Sequence, residues 1–150
     1  MVERFCQPLL LVEDSDEDYE TFKRILRRSC DVELSLIRCC DGDEALDFLY
    51  RRRAYADRSS SDMPAMIVLD LNLPGTDGRD VLAQIKQDET LCMIPVVVMT
   101  TSSNPKDIRD CYRAGTNSYI LKPTNINQLK ESIRSLIDYW FKVAVSPATM

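Results

Sequence analysis

Four short runs along the chain are almost wholly apolar: Leu9 to Val12, Met66 to Leu69, Val96 to Met99 and Tyr119 to Leu121. Unbroken runs of this length predict strands covered on both faces. Val32, Leu34 and Leu36 instead alternate with Glu33 and Ser35, the period of a strand at a sheet edge, although Ile37 blurs the pattern. Helical spacing fills the intervals. Phe22, Ile25, Leu26 and Ser29 fall on one side of Asp16 to Arg28; Leu46, Phe48 and Leu49 mark Asp43 to Arg53; Val81, Leu82 and Ile85 mark Arg79 to Lys86. Lys106 to Ala114 runs into Gly115, a natural helix stop, and a last helix extends from about Ile126 to beyond Trp140. Ala54 to Pro64, with three serines in a row, reads as a flexible loop.

Five strands alternating with five helices imply βα units, a parallel sheet and an α/β three-layer sandwich. Because such crossovers are right-handed, the carboxyl ends of all strands gather on one edge, where open α/β sheets place their sites. The 150 residues suit a single domain, 1–150, with a core over about 7–142, an extended C-terminal helix, a short tail and no effector domain.

Charge and composition narrow the function. A net charge of −5 opposes bulk attraction to nucleic acid or an anionic membrane; the one basic run, Arg51 to Arg53, suits a solvated helix end. The longest apolar stretch, Leu91 to Met99, is broken by Pro95 and falls far short of the roughly 18 residues of a membrane span. The N-terminus lacks the pattern of a secretory signal, so a cytoplasmic location is expected. Cys6, Cys30, Cys39, Cys40, Cys92 and Cys111 show no C-x-x-C spacing and there is no histidine, which argues against a thiolate metal site and for reduced, mostly buried cysteines.

The residues that follow the apolar runs are polar, and the topology makes them converge. Glu13 and Asp14 follow the first predicted strand, Asp70 the third, Thr100 and Thr101 the fourth, and Lys122 and Pro123 the fifth. Three carboxylates in one place repel one another unless a cation is supplied, and an all-oxygen donor set favours Mg²⁺. Lys122 adds a fixed positive charge and Thr100 a hydroxyl, groups suited to holding the oxygens of a phosphoryl group on Asp70. With no histidine and no serine beside an evident base, the site looks built to accept phosphate on a carboxylate. Taken singly, each residue also fits a helix cap or a turn; the constellation carries the argument.

Val12-Glu13-Asp14, the segment Val68 to Gly75, Pro95 to Thr101 and Tyr119-Ile120-Leu121-Lys122-Pro123 together resemble response-regulator receiver domains of two-component signalling over nearly the whole chain. The resemblance implies a flavodoxin-like (βα)5 fold with strand order 2-1-3-4-5. It also implies Asp70 as phosphoacceptor, Mg²⁺ held by Asp14, Asp70 and the backbone carbonyl of Asn72 with Glu13 acting through water, and a partner sensor histidine kinase. Thr100 and Lys122 would contact the phosphoryl oxygens, and Tyr119 would be the aromatic that turns inward when Thr100 is drawn to the phosphate. Such a protein is a signalling phosphoacceptor rather than an enzyme, with slow self-dephosphorylation. Two departures bear on phosphoryl lifetime: Glu13 stands where Asp is usual, and Thr101 where a smaller residue is common. The Ala54 to Pro64 insertion, the segment Met99 to Ser103 and the tail Tyr139-Trp140-Phe141 are similar to small regulators paired with cyanobacterial phytochrome kinases. The alternatives are a haloacid-dehalogenase-like phosphohydrolase, which would need a second Asp where Asn72 stands, and a degenerate receiver that only binds.

The last helix has more apolar surface than its sheet requires. Ile126, Leu129, Ile133, Leu136 and Trp140 form one stripe, while Ile137, Phe141 and Ala144 form a second, roughly 50° to 100° away at helical spacing. Ile137, Tyr139, Trp140 and Phe141 are therefore expected at a homodimer interface, with a tail folded back on its own domain as the alternative.

Overall fold

A computed structural model describes residues 8–58 and 63–147. Cys6 and the serine run of the Ala54 to Pro64 loop lie outside the described residues. Five parallel strands, β1 (Leu9–Val12), β2 (Leu36–Cys39), β3 (Met66–Leu69), β4 (Val96–Thr100) and β5 (Ser118–Leu121), form one sheet in the order β2-β1-β3-β4-β5. This is the flavodoxin-like order. The connecting helices are α1 (Asp16–Ser29), α2 (Gly42–Tyr50), α3 (Gly78–Gln87), α4 (Pro105–Ala114) and α5 (Ile126–Asp138).

Strand alternation divides the core in two. Leu10, Val12, Ile67, Leu69, Val96 and Val98 face α2, α3 and α4, while Leu9, Leu11, Met66, Val68, Val97 and Met99 face α1 and α5. β1, β3 and β4 are buried along their whole length, whereas β2 and β5 are partly open, as edge strands must be. β2 begins at Leu36 rather than Val32, because β1 is only four residues long and its Leu9 pairs with Leu36. Val32 and Leu34 still pack on the α1–α5 side of the core, which explains their alternation. Cys39 points into the core and Cys40 outward, so the two neighbours occupy opposite faces. Among the described residues no helix is long and apolar enough to cross a membrane.

A polar side chain caps the N-terminus of each of these five helices: Ser15, Asp41, Asp77, Asn104 and Asn125. Each accepts a hydrogen bond from a first-turn N–H that would otherwise lack a partner, and together they aim five helix N-termini at the carboxyl edge of the sheet. α2 stops earlier than its apolar pattern suggests. Arg51 adopts the left-handed conformation at its end, and the peptide N–H of Arg52 returns to the Asp47 carbonyl. Arg52 and Arg53 then both pair with the Asp47 carboxylate. α5 continues as a single π turn, Tyr139–Val143, closed by a 2.7 Å hydrogen bond from Ala144 N–H to the Tyr139 carbonyl.

Gly78 opens α3 against the strand end that carries Asp70. A Cβ at position 78 would lie 2.3 Å from the Asp70 carbonyl oxygen and 2.6 Å from Leu71 Cα, so only glycine lets the helix approach this closely. Gly78→Ala is expected to lower unfolding stability by about 1–3 kcal/mol, the cost of overpacking against unyielding backbone, measured by urea denaturation.

Candidate phosphoacceptor site

The carboxyl edge brings Glu13 and Asp14 from the end of β1, Asp70 from β3, Thr100 from β4 and Lys122 from β5 into one cluster. One carboxylate oxygen from each of Glu13, Asp14 and Asp70 lies within 4.8 Å of the others. Glu13 and Asp70 are buried and Asp14 is exposed, so the cluster opens to solvent on one side. Backbone pairing sets their positions: Asp70 N–H donates to the Val12 carbonyl at 3.1 Å and Glu13 N–H to that of Cys39 at 3.0 Å. Asn72 follows in the same turn, its N–H donating to Asp70 Oδ1 at 3.1 Å.

Lys122 holds the cluster together. Its ammonium donates to Glu13 Oε2 at 2.7 Å, Asp70 Oδ2 at 2.8 Å and Asp18 Oδ2 at 3.0 Å. Desolvation opposes its charge, but the hydrogen bonds to Asp70 and Glu13 outweigh it and hold the lysine pKa above its ordinary value. Burial pushes the Glu13 carboxyl up to about 7 against the pull of Lys122, with the nearby Asp70 charge pushing the same way as burial. The lysine is in place because its own N–H donates to the Thr100 carbonyl at 2.8 Å, which continues the β4–β5 ladder past the last paired residue. A cavity of about 150 Å³ opens beside it, walled by Leu11, Phe22, Val68 and Met99 under the lysine stem.

The donor set suits a divalent cation. Glu13, Asp14 and Asp70 offer only hard oxygen atoms, at a solvent-facing edge, in the arrangement that takes Mg²⁺ or Mn²⁺ rather than a thiolate-seeking metal. Tyr119 is half-buried against the core on the side of α2, α3 and α4, with its hydroxyl donating to the Ser102 carbonyl at 2.8 Å. Thr100 is fully buried, and Thr101 is exposed next to it.

Residues 9–134 match the response regulator receiver domain family. The chain belongs to that family. Receivers are signalling phosphoacceptors rather than enzymes with a separate substrate, and sensor histidine kinases phosphorylate them. The response regulator Rcp1 of Synechocystis sp. is 40% identical over 141 residues, which cover 93% of this chain and 92% of Rcp1. Its Mn²⁺-bound crystal structure superposes with a TM-score of 0.87 at 37% identity, covering 94% of this chain and 99% of that one. The phosphorylated cyanobacterial phytochrome response regulator RcpA has the same TM-score at 39% identity, covering 94% and 98%. FilR2 of Methanothrix harundinacea, a probable methanogenesis regulatory protein, is 39% identical over 140 residues, covering 93% of this chain and 86% of FilR2. The chain is thus a receiver resembling phytochrome response regulators, and neither a dehalogenase-like hydrolase nor a degenerate receiver is favoured.

Several residues at the site escaped the sequence reading. Asp18 faces Lys122 from the first turn of α1, and no local pattern singles it out from its acidic neighbours Asp16 and Glu17. Arg38, the one charged residue in β2, donates to the Glu13 carbonyl at 3.0 Å and pairs with Asp16 at 2.7 Å. A network of Arg79, Asp107 and Ser102 joins α3 to the loop after β4. At the C-terminus one expectation is corrected: Ile137 is fully buried, packed with Ile133 and Leu136 where α5 meets α1, and offers no surface to a second chain. Trp140 and Phe141 are half-buried against the same cluster, Tyr139 is exposed, and Ile126, expected on the core stripe, is exposed as well.

The Arg79 guanidinium, and after it the Ser102 hydroxyl, hold the Asp107 carboxyl down at about 2. The unfolded chain, with an ordinary value near 3.8, therefore takes up this proton first on acidification. The stabilisation is complete above about pH 4 and is lost as pH falls toward 2. Unfolding free energy should decline more steeply across that window in the wild type than in Asp107→Asn, as read by denaturant titrations at stepped pH.

Proposed function

We propose that the chain accepts a phosphoryl group on Asp70 from a sensor histidine kinase of the phytochrome type and passes the signal on through its surface. The observation that carries this reading is the Lys122 ammonium bridging Asp70 Oδ2 and Glu13 Oε2, both carboxylates buried, with the Lys122 backbone N–H held on the Thr100 carbonyl. A carboxylate so placed is a charged nucleophile with a cation at hand for the incoming charge. One Asp70 oxygen attacks phosphorus, the P–N bond to the donor imidazole breaks, and the imidazole leaves as the new acyl phosphate forms. Because phosphoryl transfer asks mainly for positioning and charge stabilisation, Lys122 and Thr100 are suited to hold the transferred oxygens.

Asp14, Asp70 and the Asn72 backbone carbonyl, with Glu13 through water, would hold Mg²⁺ at this edge, where it supplies positive charge against the phosphoryl oxygens. Thr101, which lines the same cavity as Asp70, would limit the approach of water and so favour slow self-dephosphorylation. The phytochrome-type kinase is supported by the likeness to Rcp1 and RcpA. Asp70→Asn is expected to abolish labelling by a small-molecule phosphodonor while leaving the fold intact, as seen by mass spectrometry and circular dichroism. Excess chelator should have nearly the same effect as the mutation. Labelling that survived either treatment undiminished would overturn the assignment. Lys122→Ala and Thr100→Ala should retain some phosphoryl uptake but lose the phosphorylation-dependent change in conformation, because added charge reorganises the loop only through groups that bind it.

Self-association through the C-terminal segment belongs to the same proposal. With Ile137 buried, the surface that supports it is narrower than the sequence suggested: Tyr139 and Val143 are 52% and 69% exposed, and neighbouring Val145 is 82% exposed. Replacing Tyr139 and Val143 together by Asp should yield a monomer that still accepts phosphate at Asp70. Sedimentation of the unaltered protein as a monomer across micromolar concentrations, phosphorylated or not, would exclude the dimer.

A further inference from the structure

The connection after β4 is tied to α3 by an ion pair that has no part in holding phosphate or metal. The Arg79 guanidinium forms a fork on Asp107, Nε to Oδ1 at 2.9 Å and Nη2 to Oδ2 at 2.8 Å. Asp107 Oδ2 also accepts from the Ser102 hydroxyl at 2.6 Å, and the Ser102 carbonyl accepts the Tyr119 hydroxyl at 2.8 Å. Bidentate charge-assisted pairs are the strong ones; the Asp107 side chain is 16% exposed and that of Arg79 36%, so it is the fork geometry and the shared Ser102 bond that set this pair apart from an ordinary surface contact.

The other end of this chain of contacts is anchored at the phosphoacceptor. Arg79 follows Gly78, whose backbone presses on the Asp70–Leu71 peptide, and the guanidinium is further fixed by the Asp77 carboxylate at 3.1 Å. Ser102 stands two residues from Thr100, with its N–H 3.5 Å from the Thr100 hydroxyl. If Thr100 is drawn toward a group on Asp70, Ser102 must follow. It can do so only by leaving Asp107 or by dragging the first turn of α4 along, and leaving Asp107 displaces the carbonyl that fixes Tyr119.

We propose that Arg79 is a positioning residue for phosphoryl acceptance: through Asp107 it latches Ser102 and Tyr119 in the resting arrangement and sets how readily the site converts. The inference rests on Asp70 being the acceptor. A latch that favours the resting state lowers the population able to grip phosphate, so its release raises the rate of uptake.

The test uses the full chain with Mg²⁺ and acetyl phosphate, following phosphoryl incorporation at Asp70 and, before any donor is added, the NMR signals of the Tyr119 ring. Arg79→Gln should take up phosphate about five- to tenfold faster, a coupling at the low end of the ordinary range. Its resting Tyr119 signals should move toward those of the phosphorylated wild type. Arg79→Lys keeps the charge but not the fork and should fall between the two; it also serves if the Gln variant folds poorly. Combining Arg79→Gln with Asp107→Asn should add little to either alone. Unchanged or slower uptake with unmoved Tyr119 signals, in a protein whose wild type is labelled at Asp70, overturns the latch. Tyr119 signals that move in Arg79→Gln while the wild type takes no label at Asp70 support the resting latch and overturn the acceptor assignment instead.

Discussion

A single ammonium group at the sheet edge decides whether the acidic cluster can be buried at all. Taking even one carboxylate out of water costs several kcal/mol after relaxation, and here Glu13 and Asp70 are withdrawn side by side. Lys122 offsets this by hydrogen bonding to both. The offset is partial, as the raised Glu13 pKa records, and a partly compensated cluster is receptive to further positive charge. Affinity for a cation at this edge therefore follows from the same imbalance that makes the edge costly to build.

That dependence places demands on the topology. Lys122 leaves β5 and must reach Asp70 on β3 and Glu13 on β1, passing β4 on the way. Only with β4 between β3 and β5 does the lysine cross over Thr100, and only in parallel register does its N–H meet the Thr100 carbonyl. The capped helix N-termini point at the same edge, where their partial positive charge favours the acidic groups, including Asp16, Glu17 and Asp18 in the first turn of α1. Gly78 completes the arrangement by bringing α3 onto the backbone that carries Asp70.

The strands that pair on both sides were legible because burial on both faces leaves continuous apolar runs, as in Met66 to Leu69. β2 was harder: Val32 and Leu34 have the hydrophobicity of a strand but pack beyond the end of β1, and pairing partners are not written in local pattern. At the site, Asp14, Asp70, Thr100 and Lys122 were readable because topology alone sends strand ends to one edge. Asp18 and Arg38 were not, since their roles depend on which way a helix turn and an edge strand face. Ile137 shows the limit of helical geometry. It lies about 40° from Ile133 at 100° per residue, so an apolar face broad enough to look like two surfaces is one face seated against α1 and the sheet.

The resting site also accounts for how a change at Asp70 can be felt at a distance. Lys122 already spends its hydrogen bonds on Glu13, Asp18 and Asp70, so a dianionic group arriving on Asp70 does not find a free cation; it competes for one. Any oxygen that takes the ammonium leaves Glu13 or Asp18 to find other compensation, and Asp18, half-exposed on α1, can turn to water at little cost while buried Glu13 cannot. Thr100, fully buried and joined through its carbonyl to Lys122 and along the chain to Ser102, can move only with its loop. Moving that loop would cost the Ser102 hydrogen bond to Asp107 or the Tyr119 hydrogen bond to the Ser102 carbonyl, so Ser102 and Tyr119 are bound to whatever Thr100 does.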